Sequence, residues 1–267
     1  MRVSFPMYDL PELLDDHQQI WNGLRRLLRE DGFPNLPVAL DWPEDLGSHW
    51  RSRDLLLSQT CGYPLIRDLA GQVQLVGVPH YDVPGCDGYR YSSALIVNRK
   101  SSFHELADLR GAVAGFNESG SQSGYNALRH AVAHVANGAP FFAAVKRTGR
   151  HEASIDAVAE GAIDIAAIDA VSYALIARYQ STRVSALRVL GFTAPVPGLP
   201  LITSLDMPVS QLPGLRRALE KLVSDPTLEG NRERLLLTGI SFPPLSVYQA
   251  LAEQEAAASA LGYPVLA

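Results

Sequence analysis

The sequence has little cysteine, no long apolar run and no excess of positive charge, and each shortage removes a class of protein. Two cysteines among 267 residues cannot build a disulfide scaffold. Cys61, in Thr-Cys-Gly-Tyr, and Cys86, in Gly-Cys-Asp-Gly, also lack the paired spacing of a zinc site. Both sit in turn-like settings and are expected to be thiols in a reducing compartment; a bridge in an oxidising one would contribute about 3 kcal/mol. A formal net charge of −5 leaves no broad basic surface for a nucleic-acid backbone. No stretch is apolar for long enough to cross a membrane. The segment Met1–Asp9 runs into a strand with no apolar leader. The chain as written is therefore expected in the cytoplasm, and in the periplasm if a leader has been removed.

Chemical signatures are also scarce. There is no Gly-Lys-Ser/Thr phosphate loop and no Gly-x-Gly-x-x-Gly turn, and His151-Glu152-Ala153-Ser154-Ile155 lacks the second histidine of a zinc protease. No cofactor and no metal are expected. What the chain does have is apolar content: 47% of its residues are hydrophobic, enough for one large core or two modest ones.

The most informative stretch is Ala112–Gly124, Ala-Val-Ala-Gly-Phe-Asn-Glu-Ser-Gly-Ser-Gln-Ser-Gly. A small-apolar strand over Ala112–Phe116 is followed by a Ser/Gly turn. Tyr125, Leu128, Val132 and Val135 then recur near helical spacing. The first N–H groups of a helix have no partner within it, and the helix dipole favours negative charge there. Ser121 and Ser123 add hydroxyl donors at that point, so the stretch can cradle an anion. The simpler reading is a helix cap made by serine.

Along the chain, strands and helices alternate, which predicts largely parallel sheets flanked by helices. Strands are expected over Arg2–Met7, Val38–Trp42, Asp54–Gln59, Val73–Val78, Arg90–Asn98, Phe141–Lys146, Ile163–Ile168, Leu187–Gly191 and Leu199–Thr203. Helices are expected from Leu13 to the Gly32/Pro34 stop, over Gly62–Ala70 and Ser101–Gly111, from the Ser/Gly turn to Asn137-Gly138, after Thr148-Gly149-Arg150-His151, and over Ala170–Tyr179. Leu212–Val223, Glu229–Leu237 and Val247–Leu261 complete a helical C-terminal region. No linker divides the chain. Two interleaved lobes are expected, one of residues 1–97 plus 191–267 and one of residues 98–190, with a ligand cleft between them. Ligands of α/β sheets sit beyond the carboxyl ends of the strands, which singles out Tyr8, Gln59 and Thr60, the last also placed to cap a helix. Asp169, just before a helix, suits an N-cap or a place in the cleft.

Four separated segments, Leu55–Pro64, Tyr91–Asn98, Asn117–Gly124, and Thr148–Ala153 followed by Val158–Asp169, resemble the phosphate-, phosphite- and phosphonate-binding proteins of ABC importers. The resemblance implies a type II periplasmic-binding fold, a two-lobed flytrap that captures a small oxyanion for uptake through an ABC permease. It also implies that Ser121, Gln122 and Ser123 donate to the oxyanion, with His151 donating from the neighbouring helix start and Tyr91 from the crossing strand. Such a protein is not an enzyme, inserts in no membrane and acts as a monomer. Relatives that take aminoalkyl phosphonates carry an acid within a Pro-Gly-acid-Pro turn, where this chain has Pro197-Gly198-Leu199-Pro200. A second acidic position falls on Val171, with Asp169 close by. A ligand that is small or apolar beyond its anionic head is therefore expected.

Two other readings compete: a cytoplasmic enzyme and a ligand sensor, each built on the same two-lobed fold. Gly120-Ser121-Gln122-Ser123-Gly124 resembles a nucleophile elbow, yet Gln122 stands where the serine should be. Ser121 or Ser123 with His151 and Asp169 would be the triad of such an enzyme.

Overall fold

The computed structural model describes residues 1–267. The chain begins with β1 (Arg2–Ser4), α1 (Leu14–Glu30), α2 (Leu46–Trp50), β2 (Leu55–Gln59), α3 (Gly62–Arg67) and β3 (Val73–Tyr81). It continues through β4 (Cys86–Asp87), β5 (Arg90–Tyr91), β6 (Ser93–Asn98), β7 (Val113–Phe116), α4 (Ala127–Ala136), β8 (Ala144–Arg147) and α5 (His151–Ala159). Next come β9 (Ile165–Asp169), α6 (Ala170–Tyr179), α7 (Ser181–Val184), β10 (Leu187–Phe192), β11 (Val196–Pro197) and β12 (Leu201–Ser204). The last elements are α8 (Leu212–Val223), α9 (Glu229–Arg234), β13 (Leu237–Ser241) and α10 (Gln249–Ala260).

These elements form two compact units. The first comprises Met1–Asp82, Asp87–Tyr89 and Pro197–Val247; the second comprises Val83–Cys86, Arg90–Val196 and Tyr248–Ala267. The division differs from the expected 1–97 plus 191–267 and 98–190: β6 and the C-terminal helix α10 belong to the second unit. Long-range bonds explain the placement of α10, since Gln122 and Asn126, at the start of the cradle helix, bond to Gln254 and to the Leu251 carbonyl.

In the first unit the sheet order is β1-β2-β12-β3-β13. β1 and β2 are parallel, and β12 lies antiparallel between β2 and β3, as β13 does at the edge. The second unit has the order β10-β6-β9-β7-β8, in which β7 is parallel to both β8 and β9 while β6 is antiparallel to β9 and β10. The sheets are thus mixed where largely parallel ones are expected, because strands returning from each crossover are inserted into them. The second unit's core is built from Val97, Ala114, Leu128, Val132 and Ile165, all essentially inaccessible.

Several expected elements change for identifiable reasons. Val38–Trp42 is not a strand: Pro34, Pro37 and Pro43 remove backbone donors around it, and Asp41 N–H makes one bond to the Val3 carbonyl at 2.7 Å. Ser101–Gly111 reduces to a 3₁₀ turn over Leu106–Leu109, closed by reciprocal Glu105 and Asp108 capping bonds. The strand expected from Phe141 starts at Ala144, since Phe141 and Phe142 donate to the Ala267 carbonyl. The helix expected through Leu237 stops at Arg234, and Leu236 at φ +58° turns the chain into β13.

Candidate functional site

In the second unit the carboxyl ends of β7, β8 and β9 lie at one sheet edge, and each leads directly into a helical turn. β9 ends at Asp169, which pairs with Ser93 at the start of the antiparallel β6, so Ser93 lies at the same edge. Tyr91, on β5, is buried two residues before it.

After β7 the chain turns at Asn117 and enters a π-helical turn, Gln122–Asn126, which runs on into α4. Ser121 caps it: the backbone is extended there, and the hydroxyl accepts from Gly124 N–H at 3.1 Å. The cap and the wider i→i+5 turn, closed by Ala127 N–H on the Gln122 carbonyl, place Ser121, Gln122 and Ser123 together at the helix entrance. Glycine at position 124 makes room for the Asn117 side chain, since a Cβ there would lie 1.9 Å from Asn117 Oδ1. Asn117 Oδ1 is itself buried and without a hydrogen-bond partner. The helix ends where Asn137, at φ +56°, adopts a left-handed cap.

His151 is the first residue of α5, and its Nε2 lies 3.0 Å from Ser123 Oγ. Burial drives its pKa down to about 4, so the imidazole is neutral at pH 7, and its Nδ1 is buried without a partner. With the proton on Nε2, His151 donates to Ser123 and leaves Nδ1 as an unpartnered acceptor; the other tautomer would bury an unpartnered N–H. The first arrangement makes Ser123 Oγ an acceptor and leaves its O–H to donate elsewhere. The Ser121 hydroxyl likewise accepts from Gly124 and keeps its proton, 3.4 Å oxygen to oxygen from Ser123. Ser93 Oγ donates to the Ser123 carbonyl at 2.9 Å and fixes the turn from the neighbouring strand.

The Gln122 side chain does not donate into this cradle as the resemblance implied. Its Nε2 donates to Gln254 Oε1 at 2.8 Å, and its Oε1 accepts from Asn126 Nδ2 at 2.8 Å, in a buried network against α10. Asp169 is an N-cap: Oδ1 accepts from Val171 N–H at 2.9 Å and Ser172 N–H at 3.0 Å. The charge of Asp169, together with burial as the larger cause, pushes the Cys86 thiol up to about 12, so Cys86 stays protonated.

Tyr8, Gln59 and Thr60 belong to the first unit, where all three are buried. Gln59, at the end of β2, donates through Nε2 to the Tyr81 hydroxyl at 3.2 Å and to the Leu199 carbonyl at 3.5 Å. Tyr8 stacks edge-on against Tyr81 with 5.2 Å between ring centroids. Thr60 does not cap α3. Its hydroxyl donates to the Cys61 carbonyl at 3.4 Å, and Cys61 holds the cap position with no side-chain bond.

The residues missed in the sequence are Ser93, Asn117, Gly124 and Gln254. Gly124 carried a signal, as the second glycine of the Ser/Gly turn. The others act through contacts between distant segments, for which local pattern carries no signal.

Residues 52–242 match the phosphonate family of ABC transporter periplasmic substrate-binding proteins. No curated protein matches the chain. Among solved structures, the XAC2383 protein from Xanthomonas citri, bound to ATP, superposes with a TM-score of 0.70 at 19% identity over 97% of each chain. A binding protein component of an ABC phosphonate transporter from Pseudomonas aeruginosa gives 0.75 at 17% identity over 98% of this chain and 87% of its own. PhnD1 from Prochlorococcus marinus, in complex with methylphosphonate, gives 0.73 at 14% identity over 96% and 97%. This chain shares with them the type II periplasmic-binding fold, and it belongs to the phosphonate family of ABC transporter periplasmic substrate-binding proteins.

Proposed function

We propose that this protein captures a small phosphorus oxyanion, of phosphate, phosphite or phosphonate type, and delivers it to an ABC permease for uptake. One observation carries the reading: the Ser121 and Ser123 hydroxyls, held by Gly124 N–H and His151 and 3.4 Å from each other, keep a hydroxyl donor at a helix entrance. The oxyanion accepts from that donor and from backbone N–H groups of the turn. Gln122 contributes its main chain, and His151 acts through Ser123. Tyr91 and Asp169 stand at the same edge, and Tyr8, Gln59 and Thr60 are the candidate ligand residues of the first unit. The two units act as lobes, and the protein works as a monomer on the outer side of the membrane whose permease it serves. No helix is long and apolar enough to cross that membrane.

Catalysis fits the geometry poorly. A serine nucleophile at Ser123 needs His151 as its base and an acid holding Nδ1, whereas that nitrogen has no partner and the imidazole is a weak base. The reading is tested by titration calorimetry and thermal shift against phosphate, phosphite, methylphosphonate, sulfate and small carboxylates. A ligand at one hundred times its dissociation constant stabilises the fold by about 2.7 kcal/mol. Selective stabilisation by a phosphorus oxyanion supports capture; none, or turnover of the ligand, overturns it.

A further inference from the structure

α4 carries a feature that oxyanion capture leaves unused: His130-Ala131-Val132-Ala133-His134, two histidines four residues apart on one helix. At about 3.6 residues per turn this spacing sets both side chains on the same face, one above the other. It is the outer face, because Leu128, Val132 and Ala136 turn to the core on the opposite side. His130 is half-buried there and His134 exposed. The rings meet edge-on, with 5.0 Å between centroids and 85° between planes. Neither ring is engaged in a hydrogen bond or an ion pair, so each neutral imidazole keeps a nitrogen lone pair to give.

The geometry is that of a chelate. Metal–nitrogen bonds of about 2.0–2.1 Å, at the angles of tetrahedral or square-planar coordination, set two imidazole centroids about 4.5–5.2 Å apart, so the rings already stand at chelating separation. Burial, the largest cause, and then the neighbouring His134 and Arg129 lower the pKa of His130 and favour its neutral, metal-binding form. The Arg129 guanidinium is itself buried, bonded to the Pro264 carbonyl and to Asn126 Oδ1.

Ligand type decides which cation fits. Imidazole nitrogens suit Cu²⁺, Ni²⁺ and Zn²⁺, whereas Mg²⁺ and Ca²⁺ take oxygen. No third histidine, cysteine or carboxylate joins the pair, so water completes the coordination. Ala131 stands where a zinc hydrolase carries its glutamate, so the site lacks that general base and serves binding, not hydrolysis.

We propose that His130 and His134 chelate a divalent transition-metal cation, Cu²⁺ foremost, on the outer face of α4. Held by both rings, the cation clamps one turn of the helix and stabilises the folded chain by mass action. Neither residue lies in the serine cradle, so the inference does not depend on oxyanion capture.

The test is calorimetry on the untagged full chain, titrated in turn with Cu²⁺, Ni²⁺, Zn²⁺ and Mg²⁺. The tightest site takes one Cu²⁺ per chain, holds Ni²⁺ and Zn²⁺ more weakly and does not bind Mg²⁺. His130→Gln and His134→Gln each weaken Cu²⁺ at least about tenfold, because the second imidazole of a chelate binds intramolecularly. Electron paramagnetic resonance of the Cu²⁺ form shows two coupled imidazole nitrogens in the parent and one in either variant. Ni²⁺ raises the melting temperature of the parent and leaves that of the double variant unchanged. Absence of saturable binding by all three transition-metal ions overturns the inference. Parental affinity in either folded variant also overturns it, by placing the cation on the chain's other histidines. Should a variant fail to fold, the parent's own spectrum decides, since coupling to a single nitrogen overturns the chelate.

Discussion

The two units share a histidine bonded to a serine, His49 to Ser4 and His151 to Ser123, but differ in what surrounds the pair. In the first, most buried polar side chains bond to one another, with His49 Nδ1 the exception: Ser4 Oγ lies 2.7 Å from both His49 Nε2 and Ser58 Oγ, Trp50 Nε1 donates to Ser58 at 3.2 Å, and Gln59 donates to Tyr81. In the second, the hydroxyls of Ser121 and Ser123 are held from behind and share one bond between them, which leaves one proton over, while Asn117 Oδ1 and His151 Nδ1 are buried without partners. A polar group that is already satisfied stabilises the fold and has nothing further to offer. A group held in place with a donor left over can recognise an anion. Burial alone therefore does not mark a binding site; the direction in which the remaining hydrogen points does.

The contrast can be broken most severely at Gly124. Gly124→Ala sets a methyl against Asn117 Oδ1, so the Asn117 side chain must leave its buried place beside the turn. A loss of about 3 kcal/mol in unfolding free energy and the disappearance of the calorimetric signal for phosphate are expected. An alanine variant that binds normally would mean the turn is not held by this close approach.

Acid should act on the second unit through His151. Its folded pKa of about 4 lies below the ordinary value of 6.5, so the unfolded chain binds the proton first as pH falls. The stability contributed by the buried neutral ring is complete above pH 6.5 and is lost between pH 6.5 and 4, by about 3 kcal/mol. Denaturant unfolding at stepped pH should show a smaller loss in His151→Gln by about that amount; equal slopes would place the imidazole in contact with water.

If the cradle holds the anion as proposed, Ser123→Ala removes one donor and should cost about 1–3 kcal/mol of affinity by calorimetry. The matching change in the first unit, Gln59→Leu, should alter phosphate affinity by less than about 1 kcal/mol, because the Gln59 amide donates to Tyr81 and Leu199. Losses of similar size in the two variants would erase the distinction between the units. The smallest effect is kinetic: with its thiol pushed up to about 12, Cys86 should resist iodoacetamide at pH 8 in the folded protein and react on unfolding, as read by mass spectrometry.

What could be read in the sequence follows from how local each feature is. α6, α8 and the cradle helix were legible because apolar spacing and their start signals lie within one stretch, as at Asp169 before Ala170 and Ser121 before Gln122. The meeting of Ser123 with His151 was reached only through a family likeness, since 28 residues separate them. The side-chain network of Gln122 was out of reach for the same reason: its partner Gln254 lies 132 residues away, on a helix expected in the other lobe. β13 was hidden because a strand begins where Leu236 takes a left-handed turn, a conformation that leucine rarely signals.

The cradle described above carries no formal charge of its own, being made of hydroxyls, main-chain dipoles and an imidazole kept neutral. Ionic strength weakens attraction between exposed charges, yet it has little hold on short, desolvated hydrogen bonds. Under the proposed reading, anion affinity at such a cradle should be almost equal in dilute and in saline surroundings, a tolerance that a clamp of exposed arginines would lack.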